Sequence, residues 1–256
     1  MRAAVLGLGE AGGRYAADLA AAGWQLHGFD PGQVPTPPGV LRAQSVAAAV
    51  ANAELIIALT GASAAVSAAQ AAAVSAPQDC CYADFNSSSA ALKRQVEAVI
   101  ATAAGMQMAD VAVLAPVGRL GAASPLAVSG PGATAVAEAF GAVGAQVEVL
   151  DGPVGDAAGR KLLRSVFMKG LAAAVLEAVA AARVAGCEPW IRDQIAAELG
   201  PDGHDLATRL IEGSAKHAVR RIAEVEASKE YLAELGVRSL VCDAALGWLE
   251  DMRDQP

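Results

Sequence analysis

Lys161, Ser165 and Lys169 follow one another at four-residue intervals in an apolar helical pattern, so on a helix they share one face. A lysine near a second cation has its ammonium form disfavoured and can take a proton from a substrate hydroxyl. Far upstream, "GLGEAGG" sets Gly7, Gly9 and Gly12 at GxGxxG spacing. The first glycine permits a tight turn, the second lets backbone approach a pyrophosphate, and the third allows a helix to pack close to a strand. The whole turn, Gly7, Leu8, Gly9, Glu10, Ala11 and Gly12, is therefore the candidate cradle for a dinucleotide. Asp30 ends the next apolar run, 18 residues past Gly12. An acid there accepts hydrogen bonds from the adenosine ribose and repels a 2′-phosphate, which selects NAD over NADP. Arg42 and the proline-rich loop before it are the features that would favour NADP instead. A third group, His217, Arg220, Arg221 and Glu224, shares a helical face. Either an arginine of this face holds a substrate carboxylate, or the face is a solvated one laced with ion pairs.

These residues need elements to position them. Apolar runs at 3–6, 25–29, 55–59, 81–85, 107–114, 125–129 and 146–150 predict strands. Helical patterns at 12–22, 44–51, 63–75, 89–104 and 133–143 fall between them, and "PGQVPTPPGV" (31–40) is a loop. Strands alternating with helices imply βαβ units, so residues 1–155 read as an α/β Rossmann-type domain with a mostly parallel sheet. From Ala157 onward no strand is visible. Helices at 157–185, 189–199, 214–235 and 239–251, with Pro189 in a first turn, Asp202 or Asp205 as caps and Gly236 as a stop, make residues 156–256 an all-α C-terminal domain.

Composition narrows the partners. Of the 256 residues 54% are hydrophobic, but the excess is largely alanine, and the longest apolar helical run, 171–182, carries Glu177. Neither a membrane span nor a signal peptide is expected, which points to a cytoplasmic protein. The net charge of −8 is spread evenly over the two halves, so no nucleic-acid face is expected. Local basic clusters at 160–169 and 216–221 suit a small anionic substrate instead. Cys80, Cys81, Cys187 and Cys242 form no CxxC and lie near none of His27, His204 or His217, so no metal site or disulfide is expected, and the thiols read as small buried hydrophobes. Trp190, Trp248 and Tyr231 read as core or interface anchors.

"GPVGDAAGRKLLRS" (152–165) resembles the GxxGxGxxxKxxxN signature of the β-hydroxyacid dehydrogenases, the superfamily of 3-hydroxyisobutyrate and 6-phosphogluconate dehydrogenases. Gly152, Gly155, Ala157, Lys161 and Ser165 fall on it, with Ala and Ser replacing the third Gly and the Asn. The resemblance implies Lys161 as catalytic acid/base, with Ser165 and Glu224 as further catalytic candidates. Thr60 and Ser63 match the loop after the third strand, and Asn86 and Ser87 of "DFNSSS" the loop beside the nicotinamide. "DVAVLAPVG" aligns with the family's substrate loop, which makes Val113, Leu114 and Ala115 substrate candidates beside Lys169, His217, Arg220 and Arg221. Leu114 departs from the family's serine, and Ala223 and Glu224 from its Lys-Asp pair. "SGPGA" (129–133), "KG" (169–170) and "HAVRRIAEVE" (217–226) match a branch whose C-terminal domain has no known function. The resemblance implies hydride transfer between nicotinamide and a small hydroxy acid, and a homodimer formed through the helical domain. The alternatives are an imine reductase or reductive aminase, which often lacks the lysine, and a non-catalytic dinucleotide-binding sensor.

Overall fold

Runs such as "LIIA" and "CYAD" become central strands because both their faces find cover, the condition under which parallel strands read as unbroken apolar sequence. The computed structural model describes residues 1–254. The chain divides into two units, Met1–Lys161 and the remainder from Leu162. In chain order the first holds β1 (Arg2–Leu6), α1 (Glu10–Ala21), β2 (Gln25–Phe29), β3 (Val40–Arg42), α2 (Val46–Val50) and β4 (Leu55–Ala58). It continues with α3 (Ala65–Ser75), β5 (Cys81–Asp84), α4 (Ala90–Ile100), β6 (Gln107–Val113) and α5 (Val117–Leu120). It ends with β7 (Leu126–Ser129), α6 (Ala133–Gly141), β8 (Val147–Val149) and the start of α7 (Asp156–Val184).

The eight strands form one sheet in the order β3-β2-β1-β4-β5-β6-β7-β8, parallel except where β7 runs against β6. Alternation along each strand feeds two cores. Val5, Ile57 and Ala83 face one, which is built around Tyr15, Phe85 and Phe140; Leu6, Ile56 and Tyr82 face the other. The Phe85 and Phe140 rings lie 5.2 Å apart and Tyr15 meets Phe85 edge-on at 5.3 Å, which anchors the chain just past β5. Ser45 and Ser89 cap α2 and α4 by accepting the amides of Ala48 and Leu92.

The second unit holds the rest of α7, then α8 (Glu188–Leu199), α9 (Gly203–Lys216), α10 (Ala218–Glu234) and α11 (Leu240–Asp254). By length and composition α7 could cross a bilayer; its Ala172, Val175 and Val179 pack here with Leu210 of α9. The single helix expected over 214–235 is two. The chain breaks at His217 (φ −124°, ψ 27°), because Leu206 and Leu210 of α9 belong to one apolar cluster and Val225 and Leu232 of α10 to another. The helix over 203–216 and the three-residue β3 were both unforeseen. Trp190 is exposed, so it is no core anchor, whereas Trp248 packs against the α10–α11 cluster. Cys80, Cys81 and Cys242 are buried and Cys187 is half-buried, all four as free thiols.

Candidate functional site

Strand order reverses at β1, which has β2 on one side and β4 on the other. Loops leaving the carboxyl ends of two such strands diverge and open a crevice between them, where doubly wound sheets bind their ligands. The glycine turn begins there. Gly7 has φ +93°, and a Cβ on it would overlap the Leu59 carbonyl oxygen. A Cβ on Gly12 would overlap the Gly7 carbonyl. The chain's own packing thus demands both. Gly9 differs: a Cβ there would meet nothing within 4 Å. The missing side chain leaves space in front of the first turn of α1, whose N-cap is Gly9 and which no side chain caps. Leu8 is buried in the core; Glu10 is exposed and Ala11 half-buried at the head of α1.

Asp30 sits at the end of β2 with both oxygens engaged by backbone. Oδ2 accepts the Leu8 amide at 2.7 Å and Oδ1 the Gly32 amide at 2.7 Å. Each carboxylate oxygen keeps a free lone pair for a further donor. Arg42 braces the following loop, donating to the carbonyls of Asp30 (2.7 Å), Gly32 (2.8 Å) and Val34 (2.8 Å). Its guanidinium is therefore committed to backbone.

Asn86 joins two loops. Its Oδ1 accepts the Gly61 amide at 2.7 Å, and its Nδ2 donates to Thr60 Oγ1 at 3.4 Å. Ser63 is exposed two residues on. Ser87, exposed beside Asn86, accepts a hydrogen bond from Lys161 Nζ at 2.6 Å. The lysine of the long helix and the loop after β5 therefore meet at the carboxyl edge of the sheet.

Beneath them lies a charged group that sequence reading missed. Lys93 Nζ, 1% exposed, donates to the Asp84 carbonyl at 2.6 Å and stands 3.1 Å from Asp110 Oδ1 and 3.5 Å from Asp84 Oδ1. Both aspartates are fully buried. Asp84 Oδ1 also accepts the Asn86 amide at 2.9 Å. Asp110 Oδ2 accepts the amides of Gly155 (3.1 Å) and Ala158 (2.9 Å) in the first turn of α7, where Ser129 Oγ takes the Ala157 amide at 3.1 Å. One lysine faces two carboxylates, and the positive end of α7 offsets the remaining negative charge. Removing one partner from a buried ion pair typically costs about 3–5 kcal/mol, against about 0.2–1 kcal/mol for an exposed pair. The overlooked signal was Lys93 in the apolar row Ala90, Val96, Ile100 of α4.

Of the proposed substrate loop, Val113 is a core residue, Leu114 packs against Ala112, Ala127, Leu150 and Ala157, and Ala115 is half-buried. The remaining candidates lie in the second unit. Glu224 pairs with Lys169 (2.9 Å) and Arg220 (3.5 Å). Arg221 donates to Ser214 Oγ at 2.6 Å, and burial pulls its pKa below the ordinary arginine value. His217 is the N-cap of α10, not a member of the helical face expected for it. Ser165 Oγ is buried without a hydrogen-bond partner among the described residues.

Residues 182–252 match a domain family described as a domain of unknown function, DUF1932. No curated protein sequence matches the chain. Similar solved structures include a conserved hypothetical protein from Sinorhizobium meliloti 1021, at 27% identity over 98% of this chain and 87% of that one, with a TM-score of 0.76. The Mycobacterium tuberculosis 3-hydroxyisobutyrate dehydrogenase with L-serine gives a TM-score of 0.79 at 19% identity, covering 98% of this chain and 92% of that one. A reductive aminase from Aspergillus terreus, in complex with NADPH, cyclohexanone and allyl amine, gives 0.67 at 18%, covering 98% and 92%. The chain has the fold of the 3-hydroxyacid dehydrogenases, a Rossmann-type sheet domain followed by a helical region, and carries a DUF1932 domain at its carboxyl end, as the sequence resemblance implied.

Proposed function

We propose that the protein is an NAD(P)-dependent oxidoreductase, with NAD preferred, acting on a small hydroxy acid. The observation that carries this reading is the 2.6 Å hydrogen bond from Lys161 to Ser87 at the carboxyl edge of a sheet whose glycine turn opens on the same edge. The fit to a dinucleotide rests on Gly9. Nothing in the chain requires a glycine there, and a side chain would fill the space a pyrophosphate needs. The turn from Gly7 to Gly12 would hold the pyrophosphate, and Asp30 the adenosine ribose. Arg42, tied to three carbonyls, is not disposed to meet a 2′-phosphate, which supports NAD. When bound, the dinucleotide supplies the hydride acceptor or donor.

The chain supplies the proton. In alcohol oxidation neutral Lys161 takes the hydroxyl proton at Nζ as the carbinol C–H bond breaks; in reduction its ammonium returns that proton to the forming alkoxide. Ser87 keeps Nζ aimed by accepting one of its hydrogens. A reductive amination reading is favoured by the likeness to the A. terreus enzyme and is tested by adding ketone with amine to the same assay.

The decisive experiment pairs Lys161→Ala with the wild type. NADH binding is followed by fluorescence, and turnover by absorbance against a panel of β-hydroxy acids and their keto forms. The variant is expected to bind NADH as the wild type does and to lose about 10²–10⁴-fold in turnover, the usual contribution of a positioned acid–base group. Undiminished turnover removes Lys161 from the mechanism, and tighter binding of NADPH than of NADH overturns the preference for NAD.

A further inference from the structure

We infer that Lys93 is a positioning residue, which sets the register between Lys161 and Ser87 through two buried carboxylates. This rests on the reading of Lys161 as the acid/base group. Two chains of contacts leave the single ammonium. One runs through Asp84, whose carbonyl Lys93 holds at 2.6 Å and whose Oδ1 accepts the Asn86 amide at 2.9 Å, to Ser87. The other runs through Asp110, 3.1 Å from Lys93, to the amides of Gly155 and Ala158, one turn before Lys161. Both partners of the 2.6 Å Lys161–Ser87 hydrogen bond therefore hang from one cation.

Two details argue that the arrangement serves this bond and not the core alone. The row Ala90, Val96 and Ile100 is otherwise apolar, so position 93 calls for no charge of its own. The network also avoids the glycine turn: neither Gly7, Gly9 nor Asp30 is among its contacts. Its loss should therefore change how the proton is handled and leave the pyrophosphate turn and the Asp30 contacts in place. Reacting groups shifted by a fraction of an ångström lose rate steeply, on the order of 10²-fold for about 1 Å.

Two variants test this. Lys93→Met with Asp84→Asn removes the cation and one carboxylate together, so no extra buried charge is stranded. Asp110→Asn keeps an acceptor for the α7 amides but ends the ion pair of Lys93 with Asp110, and serves if the first variant does not fold. Both are treated with acetic anhydride and digested, and the acetylation of Lys161 is read by mass spectrometry against exposed Lys216. Kinetics and NADH titration are run alongside. The expected result is a severalfold rise in Lys161 acetylation relative to Lys216, with kcat down about 10²-fold and NADH affinity kept. A purely structural role would lower the melting temperature and leave that ratio alone. An unchanged ratio in a folded variant overturns the inference. A wild type that turns over no substrate defeats the reading of Lys161 instead, and the acetylation ratio still decides what Lys93 does.

Discussion

Asp30 and Glu224 are both carboxylates proposed for function, and they are held in different ways. Asp30, in the α/β unit, accepts two backbone amides at 2.7 Å each. Glu224, in the helical unit, is held by the long side chains of Lys169 and Arg220. The contrast runs through both units. Asp110 and Asn86 take backbone donors, whereas Arg221 relies on the Ser214 hydroxyl. A backbone-held group costs no extra rotamer freedom and keeps its aim whatever binds. A group held by lysine and arginine can exchange partners, and each such pair contributes little. The first arrangement suits a cofactor that is always the same. The second suits a surface whose contacts rearrange, and the match to DUF1932 falls in this helical unit.

The comparison breaks most dramatically at the glycine turn. Gly12→Val drives side-chain atoms into the Gly7 carbonyl, and the α/β unit should fail to fold or melt far below the wild type by circular dichroism. Gly9→Ala adds a Cβ that meets nothing within 4 Å, so it should keep the wild-type melting curve and weaken NADH binding. Equal damage from the two substitutions would mean that Gly9 is structural after all.

Alkaline titration sharpens the contrast next. Burial pushes Cys81, and burial with the neighbouring Cys81 and Glu54 charges pushes Cys80, from the ordinary 9 up to about 12. Below 9 both thiols are protonated whether the chain is folded or not, so they add no pH dependence to stability. Above it only the unfolded chain ionises, and stability should fall steadily as pH rises toward 12. Urea midpoints across this range should decline, and Cys81→Ala should flatten the slope. At neutral pH a maleimide should label half-buried Cys187 before either buried thiol.

The smallest effect is expected at the helical unit's own pair. Glu224→Gln should lower stability by about 1 kcal/mol or less in urea, because its partners remain partly in water. A loss several times larger would show that Glu224 is held as firmly as Asp30, and the distinction between the units would fail.

The parts legible in sequence were those written locally. Gly7, Gly9 and Gly12 fit a strand–turn–helix, Asp30 ends the next strand, and Lys161 stands at fixed spacing from Gly152 and Gly155; each can be read within a few dozen residues. The Lys93 network joins residues 84, 93, 110, 155 and 158, which only the folded sheet brings together, so its one trace in the sequence was a lysine in the apolar row of α4. The break at His217 was equally silent. "SAKHAV" contains neither glycine nor proline, and the chain turns there only because the two helices serve different clusters.

Arg42 has a kinetic consequence. By gathering the carbonyls of Asp30, Gly32 and Val34, it gives the rim of the crevice proposed for the adenosine its shape before any ligand arrives. A rim already ordered has little freedom left to surrender on association. If the proposed nucleotide binds here, its capture should resemble the filling of a mould, with no slow step in which the loop must first find its form.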